Sequence, residues 1–281
     1  MLISRRRDGL QLISQQDHAR LAGDLAELWG AGRFPLGPTR DSLVIAAARH
    51  DDGWQTLDDA PHVNETEGRP AHFLEVPLET TVGPYGEGVD AIYADDRYAG
   101  MLASMHWAGL YSARFGLQEG APLDHPLARH AVVVQDHRAA ETAHEIWQER
   151  GGLRSEFELQ RWRDYELLQA LDLISLTLCL IDTRERSNGE SLPAATNLRS
   201  IDQPPGGRSV ALVPSRGGEY SDLEIRVREP GVVEIEPFPF SHTAAEVEFR
   251  ARHLPDRRLE DPAGAYGDAE PLMIKLTLVG G

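Results

Sequence analysis

The sequence predicts a mainly α protein: a helical bundle over residues 1–187, a linker at 188–204, and a small antiparallel β unit at 205–281. Apolar residues recur at helical spacing in several long stretches before Thr183. After Gly207 they recur with period two between turns marked by Gly and Pro. The segment Leu167 to Ile181 is apolar almost throughout, which puts one long helix at the centre of the bundle.

Each element follows from its own pattern. Gly9 to Ser14 reads as a short strand, with Leu10 and Leu12 alternating. His18, Leu21, Ala22, Leu25 and Trp29 then fall on one helical face, with Ser14 and Asp17 as caps and Gly30 and Gly32 as the stop. A second helix runs from about Asp41 to His50, with Leu43, Ala46, Ala47 and His50 on one face, and leaves through Asp51-Asp52-Gly53. Prolines 61, 70, 77 and 84 and glycines 86 and 88 break the pattern between Trp54 and Ile92, so 54–92 reads as a long loop insertion and Gly83 to Gly88 as a loop tip. Tyr98, Leu102, His106 and Leu110 share a face of a third helix at 95–115. His137 to Arg150 is an exposed amphipathic helix, and Ser155 to Thr183 is the central one, with Tyr165, Leu168, Asp172, Leu176 and Cys179 on its apolar face. Short alternating runs at 210–213, 223–227, 232–235, 247–251 and 273–278 make the antiparallel unit. Pro237-Phe238-Pro239-Phe240 reads as a turn with two core phenylalanines, in preference to an apolar plug docking on the helices.

Composition narrows the function. The 281 residues carry 45 acidic and 28 basic side chains, a net charge of −17. Such a surface repels a phosphate backbone, so nucleic acid is not an expected partner. The one basic run, Arg5-Arg6-Arg7, reads as a solvated turn. The single cysteine, Cys179, excludes an intrachain disulfide and an all-thiolate zinc site. The start of the chain has no apolar leader and no segment is long enough to span a bilayer, so a soluble cytoplasmic protein without membrane partners is expected. Oligomeric state leaves no mark in the sequence. There is no Walker loop, Rossmann fingerprint, Gly-x-Ser-x-Gly elbow or His-Glu-x-x-His.

The chemistry is carried by polar residues on faces that should be buried: His18, the pair His50-Asp51, and Asp172. A carboxylate on a helix as apolar as 167–181 must be paired, protonated or bound to a metal. Imidazoles and carboxylates without a thiol form a nitrogen and oxygen ligand set for a divalent ion. The same residues also suit a structural network: His18 as a core histidine, His50 and Asp51 as a helix end and turn, and Asp172 paired with Arg161, Arg163 or Tyr165. His106 lies on the apolar face of the third helix and is a further candidate, as ligand or as core residue. Asp17 and Asp52 adjoin the proposed ligands, where they would orient an imidazole or act as a base, or be solvated carboxylates. Trp54, His62 and Phe73 either line a pocket or pack.

The order His18, then Ala47-Ala48-Arg49-His50-Asp51, then Leu168 to Ser175 around Asp172, resembles the HD superfamily of metal-dependent phosphohydrolases. The resemblance implies an HD-like helical fold and one or two divalent ions (Mn, Fe, Co, Ni, Zn or Mg). It implies hydrolysis of a phosphate ester or nucleotide-like small molecule, with Asp51, Asp52 and His106 as catalytic candidates. Arg20, Arg49, Arg97 or Arg114 would bind the phosphate. The arginine- and lysine-rich signatures of the nucleotide-hydrolysing branches are missing, and Asp51 stands further from Asp172 than in compact members. A di-iron oxygenase on the same scaffold is the second reading, with His106 and His130 or His137 completing the ligands. The third is a non-enzymatic helical interaction module. Over its full length the chain also resembles a bacterial family catalogued as a domain of unknown function, through Gln16-Asp17-His18, His50 to Trp54, Met105-His106 and Pro237 to Phe240. That likeness implies no activity.

Overall fold

The computed structural model describes residues 1–112, 124–184 and 209–281. The expected linker at 188–204 and Arg114 lie outside the described residues. The chain opens with a hairpin, β1 (Leu2–Arg6) and β2 (Gly9–Ile13), followed by α1 (Gln15–Leu28) and α2 (Arg40–Arg49). Then come α3 (Gln55–Asp59), the short strands β3 (Val63–Asn64) and β4 (Arg69–Pro70), α4 (Leu78–Asp95), α5 (Arg97–Tyr111), α6 (Pro126–Arg150) and α7 (Arg154–Leu180). The later part holds β5 (Ser209–Pro214), β6 (Tyr220–Glu229), β7 (Val232–Glu236), β8 (Ala244–Leu254), α8 (Pro262–Asp268) and β9 (Leu272–Gly280).

Seven strands form one sheet in the order β1-β2-β8-β9-β7-β6-β5. Every pairing is antiparallel except β7 with β9, so the sheet is mixed. On β8, Ala245, Val247, Phe249 and Ala251 alternate inward. They share one core with Leu21 and Leu25 of α1 and Leu168 and Leu171 of α7. The protein is therefore an α/β fold, which corrects the expected mainly α, HD-like helical bundle with a small C-terminal antiparallel unit. The reason lies at the start of the chain. Leu10 of β2 pairs with Leu254 of β8, which brings the N-terminal hairpin into the same sheet as the late strands.

The arginine run belongs to this hairpin. Arg6 is buried, and its guanidinium donates to the carbonyl of Ile181 at 3.1 Å, satisfying an orphan acceptor at the end of α7. Arg5 and Arg6 end the strand, with Arg6 as a buried capping side chain, and Arg7 alone lies in the exposed turn expected for the run. Phe240 is buried against Trp29, ring centroids 5.9 Å apart, and the Pro239 carbonyl accepts from Gly30 and Ala31 at 3.1 and 3.0 Å. Phe240 joins the core and Phe238 packs against it, as the turn with two core phenylalanines requires, and the same turn meets the end of α1.

The stretch 54–92 is not a loop. It carries α3, the β3–β4 pair and most of α4, and the glycine-rich residues 83–88 lie inside α4 with Pro84. The glycines serve a close crossing. A Cβ on Gly88 would stand 2.4 Å from the Gly53 nitrogen, and one on Gly53 would stand 2.4 Å from the Cα of Tyr85. Two glycines facing each other let α4 lie directly against the turn that follows α2. Among the described residues no helix is long and apolar enough to cross a membrane.

Candidate metal centre

Five helices meet at one buried cluster. His18 projects from the apolar face of α1, whose first turn is held by Ser14 accepting from the Asp17 backbone at 2.9 Å. His50 ends α2, and Asp51 begins a 3₁₀ turn over Asp52–Trp54. His106 comes from α5, Asp172 from α7 and Tyr85 from α4. All six are at most 5 % exposed.

Hydrogen bonds fix the direction of two imidazoles. His50 Nδ1 donates to the Ala47 carbonyl at 2.8 Å, which leaves Nε2 facing the cluster. The Ser175 hydroxyl donates to the Asp172 carbonyl at 2.8 Å and accepts from His18 Nδ1 at 3.0 Å. His18 thereby presents Nε2 to Asp51 Oδ2 at 2.9 Å. Partners of this kind, behind the ligating nitrogen, are what metal-bound histidines use. His50 Nε2 stands 3.3 Å from Asp172 Oδ1 and 3.7 Å from Asp51 Oδ2, aligned for a hydrogen bond with neither. His106 Nε2 lies 4.0 Å from Asp172 Oδ2. Asp51 Oδ1 accepts from the Tyr85 hydroxyl at 2.8 Å, and Oδ2 also accepts from Gln15 at 3.2 Å.

Two overlapping groups in this cluster could hold a metal ion: His18, His50 and Asp51, and His50, His106 and Asp172, each with ligand atoms within 4.8 Å of one another. Atoms bound about 2.0–2.2 Å from one ion stand roughly 3.0–3.4 Å apart, so the His50–Asp172 pair at 3.3 Å already has that spacing, while the pairs further apart must close by up to about 1.4 Å. The donor set is nitrogen and oxygen only, as a first-row divalent ion prefers. Both groups share the single outward nitrogen of His50, and one lone pair serves one ion.

The charges of the cluster are coupled. Burial opposes charge on His50, but the Asp51 and Asp172 carboxylates outweigh it and raise the imidazole to about 9. Burial likewise opposes charge on Asp51 and Asp172, and His50 outweighs it and holds both below the usual carboxylate range. Burial and the neighbouring His50 lower His106 to about 4. Burial, reinforced by the Asp51 charge, pushes the Tyr85 phenol far up, so it stays a donor. The protonated His50 thus pairs with both carboxylates, and a dication held there would take the place of that proton.

The other candidates sit elsewhere. Asp52 accepts from Arg49 at 2.7 Å, outside the cluster. Asp17 pairs with Arg20 at 3.0 Å. Arg49 also reaches Asp95, and Arg97 pairs with Glu145 and Glu149 at 2.8 Å. Arg161 pairs with Glu158, and Arg163 donates to the Pro35 carbonyl at 3.3 Å, so neither meets Asp172. His130 and His137 are exposed on α6. Trp54 packs on Phe73, ring centroids 6.4 Å apart. Sequence reasoning missed Tyr85, Gln15 and Ser175. Ser175 had a signal, a hydroxyl three residues after Asp172 on the same apolar helix.

A sequence model described as "Protein of unknown function (DUF3891)" matches residues 1–256. No curated protein and no solved structure matches the chain.

Proposed function

The chain belongs to the DUF3891 family, and we propose that it is a metal-dependent hydrolase with one divalent ion per chain, acting on a phosphate ester of a small molecule. The observation that carries the metal is the convergence of three buried imidazoles and two buried carboxylates into two overlapping groups whose ligand atoms lie within 4.8 Å of one another. His18, His50, Asp51 and Asp172 would hold the ion, with His106 beside them. A divalent ion there would supply Lewis acidity toward water and toward a phosphoryl oxygen.

The chain's own residues do the rest. Ser175 and the Ala47 carbonyl fix the tautomers of His18 and His50. Tyr85 holds one oxygen of Asp51 and leaves the other directed at the histidines. The order His18, His50-Asp51, Asp172 supports the phosphohydrolase reading through the HD resemblance. The arginines at 20, 49 and 97 are each committed to carboxylates outside the cluster. The phosphate charge would then be met chiefly by the ion, which favours a monophosphate ester or a phosphodiester over a triphosphate.

Elemental analysis of untagged protein, followed by a phosphate-ester panel, tests this. The expected result is about one equivalent of a first-row divalent ion and hydrolysis lost on chelation. Protein that stays metal-free after incubation with Mn, Fe, Co, Ni and Zn overturns the metal. Loaded protein inert on every ester overturns the substrate class.

A further inference from the structure

We propose that Tyr85 is a positioning residue that makes Asp51 a one-oxygen ligand and so sets the coordination number of the ion; this rests on the metal reading above. The two carboxylates of the cluster are held differently. Asp51 Oδ1 is taken by the Tyr85 hydroxyl at 2.8 Å, and only Oδ2 faces His18 and His50. Asp172 turns both oxygens inward, Oδ1 to His50 at 3.3 Å and Oδ2 to His106 at 4.0 Å. A carboxylate can bind an ion through one oxygen or two. A hydrogen bond donated to Oδ1 removes the two-oxygen mode from Asp51 and leaves it to Asp172.

Tyr85 is itself held rigidly. Its ring stacks on Trp107, the neighbour of His106, with centroids 5.0 Å apart and planes 21° apart. Its backbone is pressed on Gly53, two residues beyond Asp51, where the facing glycines allow no gap. The ring stack and the backbone contact hold the phenol where its hydroxyl meets Asp51. Gln15 adds a second donor, at 3.2 Å, on Oδ2, the oxygen that faces His18 and His50.

The test uses cobalt(II) as the probe, whose visible absorption responds to coordination number, with parent protein, Tyr85→Phe and Tyr93→Phe. Tyr93 lies on the same helix, and its hydroxyl accepts from Ser104 at 3.2 Å, away from the cluster, so Tyr93→Phe removes a comparable hydroxyl without touching Asp51. Tyr85→Phe should bind cobalt roughly 10–100-fold more weakly, with a shifted visible band. Tyr93→Phe should match the parent in both. A Tyr85→Phe spectrum and affinity identical to the parent overturn the positioning role while the metal reading stands. A parent that binds no cobalt overturns both. Equal changes in the two variants also overturn the role, because loss of any tyrosine hydroxyl from α4 would then explain them.

Discussion

Replacing Gly88 by alanine should lift α4 off the turn that carries Asp51. The added Cβ would lie 2.4 Å from the Gly53 nitrogen, 2.8 Å from its Cα and 3.1 Å from the Asp52 carbonyl carbon, all backbone atoms that cannot rotate away. Ordinary contact needs about 3.5 Å, so the helix must retreat by about 1 Å. That takes the Tyr85 to Asp51 bond from 2.8 Å past the limit of a hydrogen bond. Overpacking costs about 1–3 kcal/mol, and the charge-assisted bond about 1.5–3 kcal/mol. Alanine returns about 1 kcal/mol of helix propensity. The net loss is about 1.5–5 kcal/mol, and cobalt binding should weaken with it. Gly86→Ala is the internal control, because its Cβ would meet only the Trp107 ring at 3.8 and 3.9 Å. It should be neutral or more stable by up to about 1 kcal/mol. Urea unfolding at constant m-value measures both. A Gly88→Ala protein within about 0.5 kcal/mol of the parent, or a Gly86→Ala protein destabilised equally, would refute the close-crossing argument.

Three further outcomes are expected. Asp172→Asn should purify without metal, and chelator should lower the melting temperature of the parent but not of the variant; the parent's gain is about 2.7 kcal/mol when free ion is 100 times Kd. His72 is buried, and burial together with the nearby Met1 amine lowers it to about 3. As pH falls below about 6.5 the unfolded chain takes a proton that the folded chain refuses, so stability is full above that pH and falls by up to about 1.4 kcal/mol per unit toward pH 3. His72→Asn keeps an acceptor for the Leu74 amide but does not titrate, and should flatten that slope in urea unfolding at pH 4.5 and 7. Arg6→Met should destabilise by about 1–3 kcal/mol, because the Ile181 carbonyl loses its buried donor; unchanged unfolding would mean that water replaces the guanidinium.

The helices that carry the ligands were legible because their patterns are locally consistent. His18 and Asp172 interrupt apolar stripes, and an interruption of that kind signals a polar residue facing inward. The structure gathers His18, His50, Asp51, Asp172 and His106 into one buried cluster. Asp52 could not be told from Asp51 by spacing, and only the fold turns it outward to Arg49. α4 was illegible because glycine and proline read as punctuation. Gly53 and Gly88 are there for a contact between segments far apart in sequence, and Tyr85 was hidden with them. The sheet was hidden for a related reason. β1 is buried on both faces, so it shows no alternation, and nothing local tells Leu10 that its partner is Leu254.

That last pairing bears on how the chain reaches its native state during synthesis. β2 emerges early and β8 late, yet each is the other's neighbour in the sheet. Until β8 arrives, the hairpin of β1 and β2 presents an open row of amides and carbonyls beside apolar Leu10 and Leu12. Contacts of such long range close slowly. During synthesis the residues of β1 and β2 are therefore available before the strand that pairs with them. A stall in translation between the two strands would favour association of one unfinished chain with another.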